Sequence, residues 1–223
     1  MAREETARAA LLHARELPHE LMTRFGTGFL SRYYRAFIES PHAVALVAVA
    51  NCEPRCAAGP EGVLIGTFDT GAHYSYLVRR HGLALALSTL RQIPRQPRLA
   101  GDIVRRRLLR YLRGILRSLG YAARNGEKDG AAREAELVGF VAYLAVDRGA
   151  RGRGVGARLL GAYEELAREA GLRRLELVTF PDERGAVPFF ESLGWEREGE
   201  VTSRSGERYA FFTRRLDEKK KAS

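Results

Sequence analysis

A short run of glycines and arginines, Arg151-Gly152-Arg153-Gly154-Val155-Gly156, stands between an apolar stretch and a helical one. Its three glycines lack side chains, so the backbone there can approach a ligand closely. The helix that follows offers its free N–H groups and the positive end of its dipole to the same place. A phosphate is the natural ligand of such a site, and each charge-assisted hydrogen bond would contribute about 1.5–3 kcal/mol. Arg151 and Arg153 add positive charge there.

The spacing of these glycines narrows the class of phosphate ligand. A triphosphate-binding loop of Walker type needs a lysine after its last glycine, and none follows Gly156. The dinucleotide fingerprint G-x-G-x-x-G also differs, because the glycines here follow G-x-G-x-G. The motif therefore favours another phosphate-bearing ligand. An arginine-rich turn that binds no ligand remains the alternative.

The elements that position this loop follow from the apolar pattern of the second half of the chain. The predicted strands cover 137–146, 175–180, 195–201 and 208–216, and the predicted helices cover 154–170 and 183–193. Gly171 and Gly194 end the two helices. The loop thus joins a strand directly to a helix. This order of elements predicts an α/β or α+β fold with a mixed sheet.

The first half of the chain is predicted to place a strand hairpin between helices. The predicted helices cover 5–17, 21–40, 76–90 and 102–119, and the predicted strands cover 43–50 and 63–68. Gly26 and Gly28 favour a late start of the second helix, near Phe29. The fourth helix is basic and amphipathic, and Asp102 is suited to cap it.

The glycine loop and its surroundings resemble the GCN5-related N-acetyltransferase (GNAT) superfamily. Residues 151–156 resemble the family's R/Q-x-x-G-x-G/A pyrophosphate loop, and residues 144–147 resemble the end of its fourth strand. Residues 186–195, A-V-P-F-F-E-S-L-G-W, resemble the A-x-x-F-Y-x-x-x-G-F segment that follows its fifth strand. The resemblance is firm over 136–216 and loose over 20–70.

The resemblance implies a single acyltransferase domain over 1–216, followed by a charged tail at 217–223. The implied fold is a mixed, mostly antiparallel sheet flanked by helices. A helical insertion at about 70–135 is implied between the family's strands 3 and 4, where the family commonly has a short turn.

The resemblance also implies acetyl-CoA, or a longer acyl-CoA, as co-substrate. The backbone amides that would hold the pyrophosphate are those of Arg151, Gly152, Arg153, Gly154, Val155 and Gly156. Main-chain groups of Leu144 and Val146 would bind the pantetheine arm like an added strand. The amide of about Ala145 would polarise the thioester carbonyl. Phe190 would lie beside the cofactor.

Two positions depart from the family pattern. The tyrosine that protonates the departing thiolate is replaced by Phe190, and the glutamate base of one family branch is replaced by Val178. Another group must therefore take the proton of the amine, directly or through one water. The candidates near strand ends are Asp69, His73, Glu136 and Tyr143. Each also has a structural interpretation, as a turn acid, a loop residue, a surface charge and a core aromatic, respectively.

The function predicted on this basis is transfer of an acetyl group to the primary amine of a small molecule or peptide. No Cys or Ser is placed as an acyl carrier, so the transfer would be direct. A longer acyl group moved onto a peptide and a non-catalytic acyl-CoA-binding module are the alternatives. No metal is expected, because Cys52 and Cys56 have no adjacent histidine or second cysteine pair.

Positive charge is concentrated in one segment. Residues 74–124 hold twelve arginines and one acid, an excess of eleven, whereas the net charge of all 223 residues is +10. Such a segment favours an acidic partner or an anionic membrane surface, or it is a helical cap with solvated arginines. Nucleic acid is disfavoured, because aromatic residues are not regularly interleaved.

Composition is that of a folded chain, with 45% hydrophobic and 29% charged residues. The sequence contains no run of 18 apolar residues, so no membrane-spanning helix is predicted. The N-terminus carries acids early and has no unbroken apolar segment, so we expect no signal peptide and a cytoplasmic location.

Overall fold

The computed structural model describes residues 1, 5–20, 22–50, 59–92, 138–182, 185–203 and 206–216. The helices of these residues are α1 (Thr6–Glu16), α2 (Thr27–Glu39), α3 (Thr70–Gln92), α4 (Val155–Glu169) and α5 (Val187–Ser192). The strands are β1 (Ala43–Ala48), β2 (Gly62–Thr67), β3 (Val138–Val146), β4 (Arg174–Thr179), β5 (Glu196–Thr202) and β6 (Arg208–Arg215). The helix predicted over 102–119 lies outside the described residues.

The six strands form one sheet in the order β1-β2-β3-β4-β6-β5. Neighbouring strands are antiparallel except β3 and β4, which are parallel. A parallel pair needs a crossover connection, and α4 supplies it. The prediction of a mixed, mostly antiparallel sheet flanked by helices is therefore confirmed, as is the β1–β2 hairpin.

Helices cover both faces of the sheet, and each face has its own core. On one face α4 and α5 pack against Leu64, Val141, Leu175, Leu177 and Phe212. On the other face α1, α2 and the start of α3 pack against Val63, Ile65 and Ala145. The central strands β2 and β3 thus send alternate side chains into two cores, which explains their nearly continuous apolar sequence.

Tyr163 fixes the position of α4 on the sheet. A Cβ atom at Gly66 would lie 2.7 Å from Cζ of Tyr163, and one at Gly139 would lie 2.9 Å from its hydroxyl oxygen. Both positions therefore have to be glycine for the ring to lie flat on β2 and β3. The hydroxyl donates to the carbonyl of Thr67 at 2.7 Å. This docking holds the middle of α4 against the end of β2 and the start of β3.

Two helix starts reflect local chemistry. α2 begins at Thr27 after Gly26, whose φ of 86° requires a residue without a side chain, so the predicted late start is confirmed. α5 begins at Val187, four residues later than predicted. Pro188 lies in its first turn, where a fixed φ suits a helix start and the missing N–H removes no helical hydrogen bond.

The chain divides into two compact units, residues 1–85 with 136–223, and residues 86–135. The first unit contains the whole sheet. Of the second, the structure describes 86–92, the last turns of α3. The boundaries predicted for the domain and its insertion stay predictions. Within the described residues, no helix has the length and apolar character needed to cross a bilayer.

Candidate active site

The two parallel strands of the sheet separate along their length. β3 pairs with β4 from Val138 to Val141, and residues 142–146 of β3 lie beyond that pairing. On the other strand, Val178 and Thr179 pair with β6 but have no partner in β3. A V-shaped cleft therefore opens between β3 and β4. We call residues 142–146 the open edge, because their main-chain groups on this side are available to an added strand.

The hydrogen bonds of β3 determine which amides of the open edge face the cleft. The N–H of Asp147 donates to the carbonyl of Glu61 at 2.8 Å, on the side of β2. Because these groups alternate in direction along a strand, the N–H of Ala145 also faces β2. The amides of Leu144 and Val146 face the cleft. This differs from the prediction that the amide of about Ala145 would polarise the thioester, since Leu144 has the required direction.

A β-bulge lies where the cleft begins. Ile65 pairs with Tyr143 and Gly66 pairs with Val141, which leaves Ala142 as the extra residue. Ala142 and Tyr143 consequently both face the core under α1 and α2, whereas Val141 and Leu144 face the core under α4. The bulge therefore turns the side chain of Tyr143 toward α1 at the edge of the cleft.

The glycine loop, residues 151–156, follows the open edge after Asp147 and a short 3₁₀ turn at Arg148–Ala150. Gly152 and Gly154 both have a φ of 73°, in the left-handed region that residues with a Cβ rarely adopt. The first helical hydrogen bond of α4 runs from the N–H of Arg158 to the carbonyl of Gly154. The N–H groups of residues 155–157 therefore have no partner within the helix. Together with the helix dipole they can hold an anion, and the anion site itself stays a prediction from the motif.

Carboxylates engage both arginines of the loop. Nη2 of Arg151 lies 2.7 Å from Oε2 of Glu16, and Nη1 of Arg153 lies 3.1 Å from Oε1 of Glu61. The sequence pattern suggested that these arginines add free positive charge at the phosphate. The structure shows both of them paired with carboxylates. Neither carboxylate carries a local sequence signal, and both were missed.

The two phenylalanines of α5 have different surroundings. Phe190 is buried, with its ring in contact with those of Trp195 and Phe212. Its side chain therefore belongs to the core under α4 and α5, and its role beside a cofactor stays a prediction. Phe189 projects elsewhere on the helix, and a Cβ at Gly156 would lie 3.0 Å from its Cζ. Phe189 is thus the residue of this pair that touches the glycine loop.

The predicted proton-transfer residues are not brought together. Asp69 is exposed and caps α3, with Oδ1 accepting the N–H of Ala72 at 2.9 Å. His73 is fully buried against Phe37, and burial lowers its pKa to about 4. Glu136 lies outside the described residues. Of the three candidates that the structure describes, Tyr143 is the one whose backbone belongs to the open edge.

Tyr143 rests on a buried polar pair. The ring of His13 lies 4.6 Å from the ring of Tyr143, and Nδ1 of His13 lies 3.0 Å from the hydroxyl of Tyr34. Burial lowers the pKa of His13 to about 4, so its ring is neutral near pH 7. Burial, followed by the negative charge of Glu20, raises the pKa of Tyr143 well above its ordinary value. The hydroxyl of Tyr143 therefore stays protonated near pH 7, and the same shift makes it a weaker acid than an exposed tyrosine.

The site as a whole can bind an extended ligand that has an anion at one end. The anion would lie on the N-terminus of α4, and an amide-bearing chain would lie along the open edge. In the part of the chain that the structure describes, no group of three His, Cys, Asp or Glu residues could hold a metal ion.

The comparison with family models identifies one match. Residues 107–195 match the model described as the Acetyltransferase (GNAT) family. This range contains β3, the glycine loop, α4, β4 and α5, which are the elements that form the cleft and its anion site. Among curated proteins, none matches the sequence significantly.

Solved structures of similar fold are GNAT acetyltransferases. An aminoglycoside 6'-N-acetyltransferase complexed with coenzyme A is 11% identical, with a TM-score of 0.55, over 96% of this chain and 92% of that chain. An aminoglycoside 6'-acetyltransferase type Ii is 12% identical, with a TM-score of 0.56, over 98% and 96%. A GNAT acetyltransferase from Streptococcus pneumoniae is 13% identical, with a TM-score of 0.51, over 96% of each chain. At these identities the likeness concerns the fold.

Proposed function

We propose that this chain, which carries a GNAT acetyltransferase domain over residues 107–195, transfers an acetyl group from acetyl-CoA to a primary amine. The observation that carries the proposal is the continuity of the open edge with the glycine loop. Five residues of β3 that have no partner strand on the side of the cleft lead, through a short 3₁₀ turn, into two left-handed glycines and the N-terminus of α4. A pantetheine arm ending in a pyrophosphate has the matching order of groups.

Each part of the donor has a place in this proposal. The N–H groups of the loop and of the first turn of α4 hold the pyrophosphate. Leu144 and Val146 hold the pantetheine arm through main-chain groups that face the cleft. The amide of Leu144 donates to the thioester carbonyl and stabilises the negative charge that develops on its oxygen. The amine attacks the carbonyl carbon, the carbon–sulfur bond breaks, and CoA leaves as a thiolate.

Tyr143 is the proposed proton donor to that thiolate. Its hydroxyl stays protonated for the reason given above, and the residue belongs to the open edge, next to the bulge. We expect Tyr143→Phe to lower kcat by roughly tenfold to a hundredfold, with little change in the KM for acetyl-CoA. Tyr34→Phe, which removes a hydroxyl that faces His13 instead, is the matched control. Equal effects of the two changes would contradict the assignment.

The acceptor is proposed to be a small molecule or a peptide with a primary amine, and the solved structures of similar fold include acetyltransferases named for aminoglycosides. A longer acyl donor and a peptide acceptor form the alternative within the same chemistry. A non-catalytic acyl-CoA-binding module is favoured by one observation, the phenylalanine at 190 in the place of the family's tyrosine. Release of free thiol from acetyl-CoA with any member of an amine panel would exclude that module.

Calorimetric titration with acetyl-CoA and with a long-chain acyl-CoA tests the donor. Gly154→Glu places a carboxylate at the N-terminus of α4, where the pyrophosphate would lie. Gly171→Glu is a closely matched control at the other end of the same helix, because it also has a positive φ (79° against 73°) and open surroundings. We expect Gly154→Glu to abolish binding and Gly171→Glu to retain it.

The two titrations also separate the alternatives. Binding of only the long-chain donor would favour the longer acyl group, and binding of neither would contradict the proposal. Loss of binding in both glycine variants would show that left-handed strain or added charge, rather than the position of the pyrophosphate, is responsible.

The arginine-rich segment, residues 74–124, lies largely outside the described residues, so its docking role stays a prediction. An acidic carrier protein or an anionic lipid surface would bind it at low salt and release it as salt screens the charges. Sedimentation with phosphatidylserine vesicles, at about 50 mM and about 500 mM salt, tests the lipid. Absence of binding at low salt would contradict it.

A further inference from the structure

Local hydrogen bonds hold part of the glycine loop, since Oδ1 of Asp147 accepts from the N–H of Gly149 at 2.8 Å and Nη1 of Arg158 donates to the carbonyl of Arg153 at 2.9 Å. Between Asp147 and the start of α4 lie a short 3₁₀ turn and two left-handed glycines. A Cβ at Gly152 would meet nothing within 4 Å, so packing does not fix the backbone there. Main-chain N–H groups bind an anion well only when they are already aimed at it. Contacts from outside the loop must therefore contribute to its geometry.

Those contacts come from the last turn of α1, which is more than 130 residues away in sequence. Glu16 accepts from Nη2 of Arg151 at 2.7 Å with one carboxylate oxygen, and from Nε of Arg15 at 2.9 Å with the other. The second guanidinium arm of Arg15 contacts Oδ2 of Asp147, the residue that opens the loop. Thus Arg15 contacts Asp147, and Glu16 contacts Arg151.

The burial of Glu16 makes this contact specific. Its side chain is 5% exposed, whereas those of Arg15 and Arg151 are 61% and 53% exposed. A buried carboxylate needs its cationic partners, and the loss of one leaves an uncompensated charge. Arg151 is held further by the bond from its Nε to the carbonyl of Val146, at 3.3 Å. One guanidinium therefore ties the loop to both α1 and the end of the open edge.

We propose that Glu16 is a positioning residue for the CoA-binding loop, acting through Arg151 and Arg15. This inference rests on the proposed function, since it concerns the same site. Glu16 keeps the loop in the conformation that aims its N–H groups at the pyrophosphate. A second consequence concerns Tyr143, because α1 also carries His13, whose ring contacts that of Tyr143. α1 therefore contacts both the donor loop and the proposed proton donor.

A positioning role and a purely electrostatic role of Glu16 predict opposite changes in CoA affinity. Glu16→Gln removes a negative charge near an anion site, so electrostatics alone predicts tighter CoA binding, most strongly at low salt. Positioning predicts weaker binding by about tenfold, the size of one lost charge-assisted contact. It also predicts that the loss persists at about 500 mM salt and raises the KM for acetyl-CoA without lowering kcat.

Glu61→Gln is the matched control. It makes the same chemical change in a carboxylate that also pairs with a loop arginine, but the Glu61 side chain is 18% exposed, against 5% for Glu16, and pairs with the 63% exposed Arg153. We expect a change of less than about threefold, because exposed pairs contribute little. Glu16→Asp keeps the charge and shortens the side chain. Binding as weak as that of Glu16→Gln is expected if position matters, and wild-type binding if charge alone matters.

Arg151→Gln keeps the inference testable even if the buried Glu16→Gln variant is destabilised. Its side chain is half exposed, so the fold should tolerate the change, and we expect a similar loss of affinity. The double variant Glu16→Gln/Arg151→Gln should bind about as well as either single variant, since both remove one contact. Wild-type CoA affinity in Arg151→Gln, or additive losses in the double variant, would overturn the inference.

Failure of the inference can be told apart from failure of the proposed function. If the wild-type chain binds neither acetyl-CoA nor a long-chain acyl-CoA, the proposed function is wrong and the inference falls with it. If the wild type binds and the Glu16→Gln and Glu61→Gln variants have equal affinities, the inference alone is wrong.

Discussion

Replacing Leu144 with proline tests whether CoA binds as an added strand. The N–H of Leu144 faces the cleft, because those of Ala145 and Asp147 face β2. Proline would therefore remove a donor to the ligand without taking a hydrogen bond from the β2 ladder. Its fixed φ is compatible with an extended backbone at the edge of a strand pair. The change is aimed at one N–H group of the open edge.

The expected effect follows from the part of the ligand that touches Leu144. One lost hydrogen bond contributes about 0.5–1.5 kcal/mol, and the proline ring also keeps the pantetheine arm from approaching closely. We therefore expect CoA affinity to fall by roughly tenfold to thirtyfold. Adenosine 3',5'-bisphosphate, the nucleotide end of CoA, should reach the loop but not the open edge. Its affinity should change by less than about twofold.

Calorimetric titration of both ligands separates the two parts of the site. Leu144→Ala, which keeps the N–H but removes side-chain contacts with the α4 core, controls for packing. Gly154→Glu should weaken both ligands, because they share the phosphate that lies on the loop. Wild-type CoA binding in Leu144→Pro would refute the added strand. So would an equal loss of both ligands in a variant that remains folded.

Three further predictions concern the framework of the site. Gly139→Ala should destabilise the fold by about 1–3 kcal/mol, because its Cβ would lie 2.7–2.9 Å from three side-chain atoms. Gly161→Ala, on the open side of α4, should stabilise the fold by about 0.5–1 kcal/mol, because alanine is the better helix former. Thermal melting checks both, and equal effects would contradict the packing argument. Arg214→Met should lower the free energy of unfolding by about 1–3 kcal/mol, because the guanidinium of Arg214 donates to two carbonyls at the end of α5, at 3.0 and 2.6 Å. The same change at the exposed Arg215 should have almost no effect. Because of His13, the free energy of unfolding should fall by about 2 kcal/mol between about pH 7.5 and about pH 5. The ring has its ordinary pKa of 6.5 in the unfolded chain and a pKa of about 4 in the fold, so over this range the unfolded ring binds a proton and the buried ring does not. Buried His73, whose pKa is also lowered to about 4, should add a fall of its own, so His13→Gln should remove about 2 kcal/mol of the total fall in urea titrations. An unchanged slope in His13→Gln would assign the fall to other groups.

The sequence was most informative where the backbone itself carries the function. Gly152 and Gly154 could be recognised because left-handed φ angles at a strand-to-helix junction leave few residues to choose from. The strands and helices of residues 138–216 follow the apolar pattern closely, since one face of each element has to be buried. The exception is α5, where Pro188 delays the helix start.

Details of register could not be predicted. The bulge at Ala142 changes which side chains of β3 share a face, and nothing in the run Val138–Val146 marks its place. The direction of each amide depends on pairing with β2, so the choice between Ala145 and Leu144 needed the register. For the same reason Tyr143 looked like an ordinary core aromatic. A single inserted residue decided both assignments.

Ion-pair partners that lie on distant elements could not be predicted from the sequence either, and for a different reason. The arginines of the glycine loop look like phosphate ligands in isolation, because charge at a helix N-terminus is the simplest interpretation of that pattern. Their partners Glu16 and Glu61 come from α1 and from the residue before β2, and only the folding of these elements onto the same end of β3 brings them together. Pairing converts a local excess of positive charge into a set of fixed contacts. The affinity of this site for an anion should therefore depend on how firmly the loop is held more than on how much charge it carries.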